Sequence, residues 1–138
     1  MQKYTDLYDV LIIGAGPAGS NAAISYKKLN PTLKVGLIDK AIFPRDKSCV
    51  DAIGPGVISA LKRFNNEHIL DNEPQVVSTT LYGPENIGIQ NYIPEVKNKE
   101  DSIVYVIPRI DLDNRILNLA KDLDCLLYTS PSPRDPIG

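Results

Sequence analysis

The chain has 138 residues, 15 basic against 17 acidic, 43% apolar content, one His, two Cys and no Trp. A net charge of -2 speaks against a nucleic-acid binder, which carries a strong basic footprint, and no apolar run approaches the roughly 18 residues of a membrane helix. Two cysteines cannot build a disulfide scaffold, and the N-terminus lacks a signal peptide's apolar core, so a soluble, cytoplasmic domain of mixed structure is expected.

Tyr8-Asp9-Val10-Leu11-Ile12-Ile13 is a short, β-branched, almost wholly apolar run. It reads as a strand buried on both faces, as in a parallel sheet. Gly14-Ala15-Gly16-Pro17-Ala18-Gly19 follows at once, and Ser20 to Leu29 reads as a helix rich in small residues. Asn30-Pro31 stops it, because proline cannot continue a helix and biases the preceding residue away from helical angles. Lys34 to Asp39 is a second buried strand, ending in an acid. Strand, turn, helix and strand make one βαβ unit, and a right-handed crossover places its strands parallel in one sheet.

Ala41 to Val50 is a polar loop containing Phe43-Pro44-Arg45-Asp46-Lys47. Val57, Ile58, Leu61 and Phe64 recur at helical spacing within Gly56 to Phe64. Val76 to Tyr82, Ile87 to Tyr92 and Ile103 to Ile107 look like strands between Gly-Pro or charged turns. A helix is expected over Asp111 to Leu123, with Asp111 or Asp113 as N-cap and an apolar stripe of Ile110, Leu112, Ile116, Leu117, Leu119 and Ala120.

Cys125-Leu126-Leu127-Tyr128-Thr129-Ser130-Pro131-Ser132-Pro133-Arg134-Asp135 differs in kind. It resembles the in-frame translation of a transposase adaptor used in DNA sequencing libraries. Residues 125–138 are therefore expected to be a non-native tail, and the natural frame to end near Asp124.

The glycine turn carries the chemistry. Gly14 allows a tight turn off the strand, Gly16 lets backbone approach a pyrophosphate, and Gly19 lets the helix pack close to the sheet. The helix N-terminus offers N–H groups and partial positive charge to phosphate. Asp39, twenty residues beyond Gly19, stands where a carboxylate accepts hydrogen bonds from an adenosine ribose and repels a 2′-phosphate. The same glycine spacing also fits a nucleoside-triphosphate P-loop, but that motif needs Lys and then Ser or Thr after the last glycine. Ser20-Asn21 stands there instead, which argues against an ATPase. Up to this point either FAD or NAD fits the turn.

Tyr8 to Ser20 resembles the opening of the geranylgeranyl reductase family of FAD-dependent oxidoreductases. The resemblance extends to Asp39-Lys40, to Phe43-Pro44-Arg45-Asp46-Lys47-Ser48-Cys49, and to Pro108-Arg109 before Asp111-Leu112-Asp113. It implies an α/β fold: the N-terminal part of a Rossmann-like FAD-binding domain, with the start of an antiparallel β segment of a second domain. Residues 1–124 would form a partial FAD/NAD(P)-binding domain with the β segment inserted at about 70–107, truncated and inactive alone.

The resemblance further implies FAD as cofactor, with NAD(P)H as a candidate external reductant. Gly14, Gly16, Pro17, Ala18 and Gly19 would hold its pyrophosphate, with Asp39 and Lys40 at the ribose. The backbone of Cys49, Val50 and Ala52 would run beside the flavin, and Arg109 would contact the cofactor. The implied reaction is hydride transfer from reduced flavin to an isoprenoid double bond, with room for peripheral membrane contact in the whole protein. Cys49-Val50-Asp51-Ala52 departs from the family's Cys-Gly-Asp/Glu-Gly, and valine disfavours the positive φ that glycine permits. A flavin-dependent aromatic hydroxylase or halogenase and a non-catalytic dinucleotide-binding module are the alternatives. Arg45 and Lys47 could steer an anionic substrate or a cofactor phosphate, but solvated loop charges are the usual case; His68 reads as a surface or helix-end residue, and no metal site or catalytic residue stands out.

Overall fold

A computed structural model describes residues 8–49, 51–92 and 104–129. The chain divides into two units, Met1–Ser48 with Arg109–Gly138, and Cys49–Pro108.

The first unit is built on a parallel sheet. Strand β1 (Val10–Ile13) leads through α1 (Pro17–Leu29) to β2 (Val35–Asp39), as the local pattern predicts. Val10 pairs with Val35 and Ile13 with Ile38 in parallel register. Helix α1 starts three residues earlier than expected, at Pro17, with Gly16 as its N-cap. Proline suits this first position, where its missing N–H would have no helical partner. At the other end, the Lys27 ammonium donates to the carbonyls of Pro31 and Leu33, so it neutralises the turn where the helix dipole is negative.

Helix α3 (Arg109–Asp122) and strand β7 (Leu126–Thr129) complete the unit, and the sheet order is β1-β2-β7. Strand β7 lies in the segment expected to be a non-native tail. A short run of two leucines followed by Tyr128 and Thr129, emerging from a helix, is sufficient to pair with the open edge of β2. Both crossovers step in one direction across the sheet, so right-handedness puts α1 and α3 on the same face. The core lies between them: Ala23, Ile24, Val35, Leu37, Ile116, Leu117 and Ala120 are all buried.

Strand β1 corrects one expectation. It is covered on one face only, and Leu11 and Ile13 are 52% and 87% exposed. An apolar run looks the same in sequence whether one face or both are covered; the helices that decide it lie elsewhere in the chain. Tyr8 and Leu11 lie over Gly36 on this outer face, where a Cβ would come within 3.1 Å and 2.9 Å of them. The Tyr8 and Tyr128 hydroxyls hydrogen-bond to each other there.

Helix α3 gives a second correction. It begins at Arg109, so Asp111 falls in its first turn and Asp113 inside it; neither is the N-cap. Leu112, Ile116, Leu117 and Ala120 form the buried stripe, while Ile110 is 37% exposed.

The second unit contains β3 (Ala52–Ile53), α2 (Pro55–Lys62), a 3₁₀ turn (Glu67–Leu70), the strands β4 (Ser78–Tyr82) and β5 (Gly88–Tyr92), and β6 (Tyr105–Val106). Strands β4 and β5 form an antiparallel hairpin, and β3 pairs antiparallel with β6. The Ile107 amide donates to the Asp51 carbonyl, and Ile53, Ile58, Leu61, Leu70 and Ile107 are buried. Val57, expected on the apolar face of α2, is 41% exposed, because its neighbours Ile58 and Leu61 alone define the buried stripe. His68 is exposed within the 3₁₀ turn.

Candidate functional site

The glycine turn closes over the carboxyl end of the parallel strands. Gly14 has φ +101°, a left-handed conformation open to glycine, and its amide donates to the Ile38 carbonyl at 2.6 Å. That bond fixes the turn to the end of β2. Ser20 is fully buried, and its hydroxyl donates to the Ala15 carbonyl at 2.8 Å. The side chain that disqualifies a P-loop therefore braces the turn from beneath. A Cβ at Gly19 would lie 1.8 Å from the Gly14 carbonyl oxygen, so only glycine lets α1 come this close to the turn.

Asp39 joins the turn to the second strand. Its Oδ2 accepts from the Ala15 amide at 2.7 Å and its Oδ1 from the Ala41 amide at 2.8 Å. Each carboxylate oxygen carries two lone pairs, so both retain capacity for a further donor such as a ribose hydroxyl. Asp39 thus belongs to the turn as much as to the strand, a bond that sequence spacing does not reveal.

An open cavity of about 630 Å³ lies beside these groups, lined by Ile13, Gly14, Ile38, Asp39, Lys40, Ala41, Arg45 and Lys47. Three cations and one carboxylate give this lining an excess of positive charge, which suits a phosphate-bearing ligand. The residues fit a dinucleotide: a positive-φ glycine, a carboxylate with acceptor capacity, and a glycine whose missing Cβ leaves space. That last position is Gly16, where a Cβ would stand 3.1 Å from Arg45 Nη2.

Arg45, read from sequence as a solvated loop charge, is instead held on three sides. Its guanidinium lies over the Phe43 ring at 5.0 Å, next to Gly16, and its Nη1 is 3.5 Å from Asp113 Oδ2. Arg109 Nε donates to Asp113 Oδ1 at 2.7 Å and its Nη2 to Oδ2 at 2.9 Å. Asp113 is fully buried. The sequence held one signal for this cluster, the four-residue spacing of Arg109 and Asp113 on a helix; the approach of Arg45 depends on tertiary packing.

Among the expected cofactor-binding residues, the first unit brings together Gly14, Asp39 and Lys40 at the cavity, with Gly16, Pro17, Ala18 and Gly19 in the adjoining turn and first helical turn. Arg109 belongs to the same unit, with its guanidinium hydrogen-bonded to Asp113. Cys49 and Ala52 belong to the second unit, and Val50 lies outside the described residues. Cys49 is exposed, and Ala52 opens β3. In this segment the positive φ of 58° falls on Asp51, a residue type that tolerates the left-handed region. Among the described residues no cluster of His, Cys, Asp and Glu could hold a metal ion, and no helix is long and apolar enough to cross a membrane.

No family model matches the chain. A menaquinone reductase of Mycolicibacterium smegmatis is 33% identical over 114 residues, which cover 83% of this chain and 27% of that protein. An uncharacterized protein of Methanosarcina barkeri is 52% identical over 116 residues, again 83% of this chain and 27% of its relative. The chain thus spans about a quarter of the length of the curated relatives it matches. Among solved structures, a geranylgeranyl bacteriochlorophyll reductase-like protein from Thermoplasma acidophilum superposes with a TM-score of 0.68 at 25% identity, over 88% of this chain and 30% of that one. The flavin-dependent halogenase CmlS gives a TM-score of 0.70 at 24% identity, over 91% of this chain and 23% of its own. The chain has the Rossmann-like FAD-binding fold of the FAD-dependent oxidoreductase superfamily, and FAD is the cofactor these neighbours support for it.

Proposed function

We propose that this chain is the nucleotide-binding part of an FAD-dependent reductase whose complete form saturates an isoprenoid-type double bond. The observation that carries the reading is the Gly14–Gly19 turn bonded through Ala15 to Asp39, beside a cavity lined by Lys40, Arg45 and Lys47. Bound FAD would supply hydride transfer. The chain's own residues bind and orient. Gly14, Gly16 and Gly19 shape the turn, and Pro17 and Ala18 set the first turn of α1 at the pyrophosphate. Asp39 accepts from the ribose and Lys40 adds positive charge at the rim. By the family resemblance, Cys49, Val50 and Ala52 would belong beside the flavin, and Arg109 is a further residue assigned to the cofactor.

A reductase, as opposed to an oxygen-using enzyme, is supported by the resemblance of Phe43 to Cys49 and by relatives named for reduction of menaquinone and for likeness to a geranylgeranyl reductase. The second reading, a hydroxylase or halogenase on the same scaffold, is favoured by the similarity to CmlS. Anaerobic mixing of the complete, flavin-reduced protein with a polyprenyl substrate separates them. Substrate-dependent flavin reoxidation without oxygen is expected. Reoxidation that requires both oxygen and substrate, with a hydroxylated or halogenated product, favours the second reading. A protein that retains NADH but no flavin fits a non-catalytic binding module.

A further inference from the structure

We infer that Asp113 is a positioning residue for cofactor binding. From inside α3 it holds Arg45 against the glycine turn, and Arg45 is the cation that meets the pyrophosphate. The inference rests on the FAD reading above and goes beyond it in assigning both residues.

Asp113 is fully buried, and an unpaired carboxylate there would be strongly unfavourable. Arg109 alone satisfies it, with two hydrogen bonds in fork geometry at 2.7 Å and 2.9 Å. Arg45, 3.5 Å away, is a second guanidinium on the same carboxylate. It lines the cavity with Gly14, Asp39, Lys40 and Lys47, a lining whose cations outnumber its carboxylate and which suits an anion, and its Nη2 lies 3.1 Å from where Gly16 would carry a Cβ. Gly16 is the glycine whose bare backbone approaches a pyrophosphate in this fold. The Phe43 ring supports the guanidinium at 5.0 Å. The Arg45 side chain is 21% exposed and Asp113 0%, so the arginine reaches ligand space while its anchor stays dry.

The test is a double-mutant cycle on FAD affinity in the complete protein, read by flavin fluorescence, with riboflavin as the phosphate-free probe. Arg45→Ala is expected to weaken FAD between about tenfold and a hundredfold, the usual worth of hydrogen bonds to charged groups, and to leave riboflavin affinity unchanged. Asp113→Asn is expected to weaken FAD in the native background but to add less than about twofold in the Arg45→Ala background. Its destabilisation, which comes mainly from the two lost Arg109 hydrogen bonds, should appear in both backgrounds. Asp113→Glu keeps the charge while displacing it, and serves where the amide variant does not fold; the same non-additivity is expected. Equal losses of FAD affinity in both backgrounds would overturn the positioning role, leaving Asp113 a structural residue. Riboflavin and FAD losing affinity together in Arg45→Ala would overturn the phosphate contact. If the unsubstituted protein takes up no FAD at all, the cofactor reading fails and this inference with it, an outcome distinct from the other two.

Discussion

At the scale of the residue, the glycine turn separates two uses of a missing side chain. Gly19 is glycine because nothing larger fits: a Cβ would stand 1.8 Å from the Gly14 oxygen and 3.2 Å from Ile12 Cγ2. Gly56, in the first turn of α2, faces open space, with no atom within 4 Å of where a methyl group would stand. Gly19→Ala is expected to cost about 2 kcal/mol or more, since backbone must move, and to weaken dinucleotide binding along with stability. Gly56→Ala is expected to stabilise by about 0.5 kcal/mol through helix propensity. Denaturant titration of both variants checks the opposite signs; equal destabilisation would show that the turn tolerates a methyl group. The glycine spacing made Gly14, Gly16, Gly19 and Asp39 legible from sequence, because their roles follow from local backbone geometry. The cluster of Arg45, Arg109 and Asp113 was not legible, since a loop charge and a helix acid 68 residues apart (113 − 45) become partners only through tertiary packing.

At the scale of the element, the same distinction governs the strands. Strand β2 lies between β1 and β7 and has hydrogen-bonded neighbours on both sides. The hairpin of β4 and β5 is a two-stranded sheet, and Leu81, Ile87 and Ile89 are each 66–68% exposed on it. Isolated two-stranded hairpins are marginally stable. Hydrogen exchange should therefore report slow amides in Leu37 and Ile38 and fast ones in Leu81 and Ile89, which face each other in the hairpin, within one sample of this chain. Comparable protection in both would mean that the hairpin is covered in solution. Alternation and turn residues placed β4 and β5 to within two residues, because those signals are local. They could not show whether a face is covered, which is why β1 was expected to be buried on both sides and is not.

At the scale of the whole molecule, the firmness with which β7 closes the sheet can be read out at Cys125. Its side chain is buried at the junction of α3 and β7, where its amide donates to the Ala120 carbonyl. Burial pushes the Cys125 thiol above its ordinary pKa, with Lys27 opposing and Asp124 adding to the shift. A thiol that is both shielded and reluctant to ionise reacts slowly, since the thiolate is the nucleophile. Cys49 is exposed. At neutral pH a thiol reagent is expected to modify Cys49 at least about tenfold faster than Cys125, and denaturant should abolish the difference. The pH dependence has a definite sign. The unfolded thiol releases its proton at a lower pH than the folded one, so above the ordinary thiol pKa the native state binds more protons. Stability therefore falls as pH rises through that window, and the contribution is fully present below it. Cys125→Ser removes this titration and should flatten that alkaline slope. Rapid modification of both cysteines in the folded chain would mean that β7 leaves the edge of β2 readily, and that the sheet of the first unit is held by β1, β2 and the two helices alone.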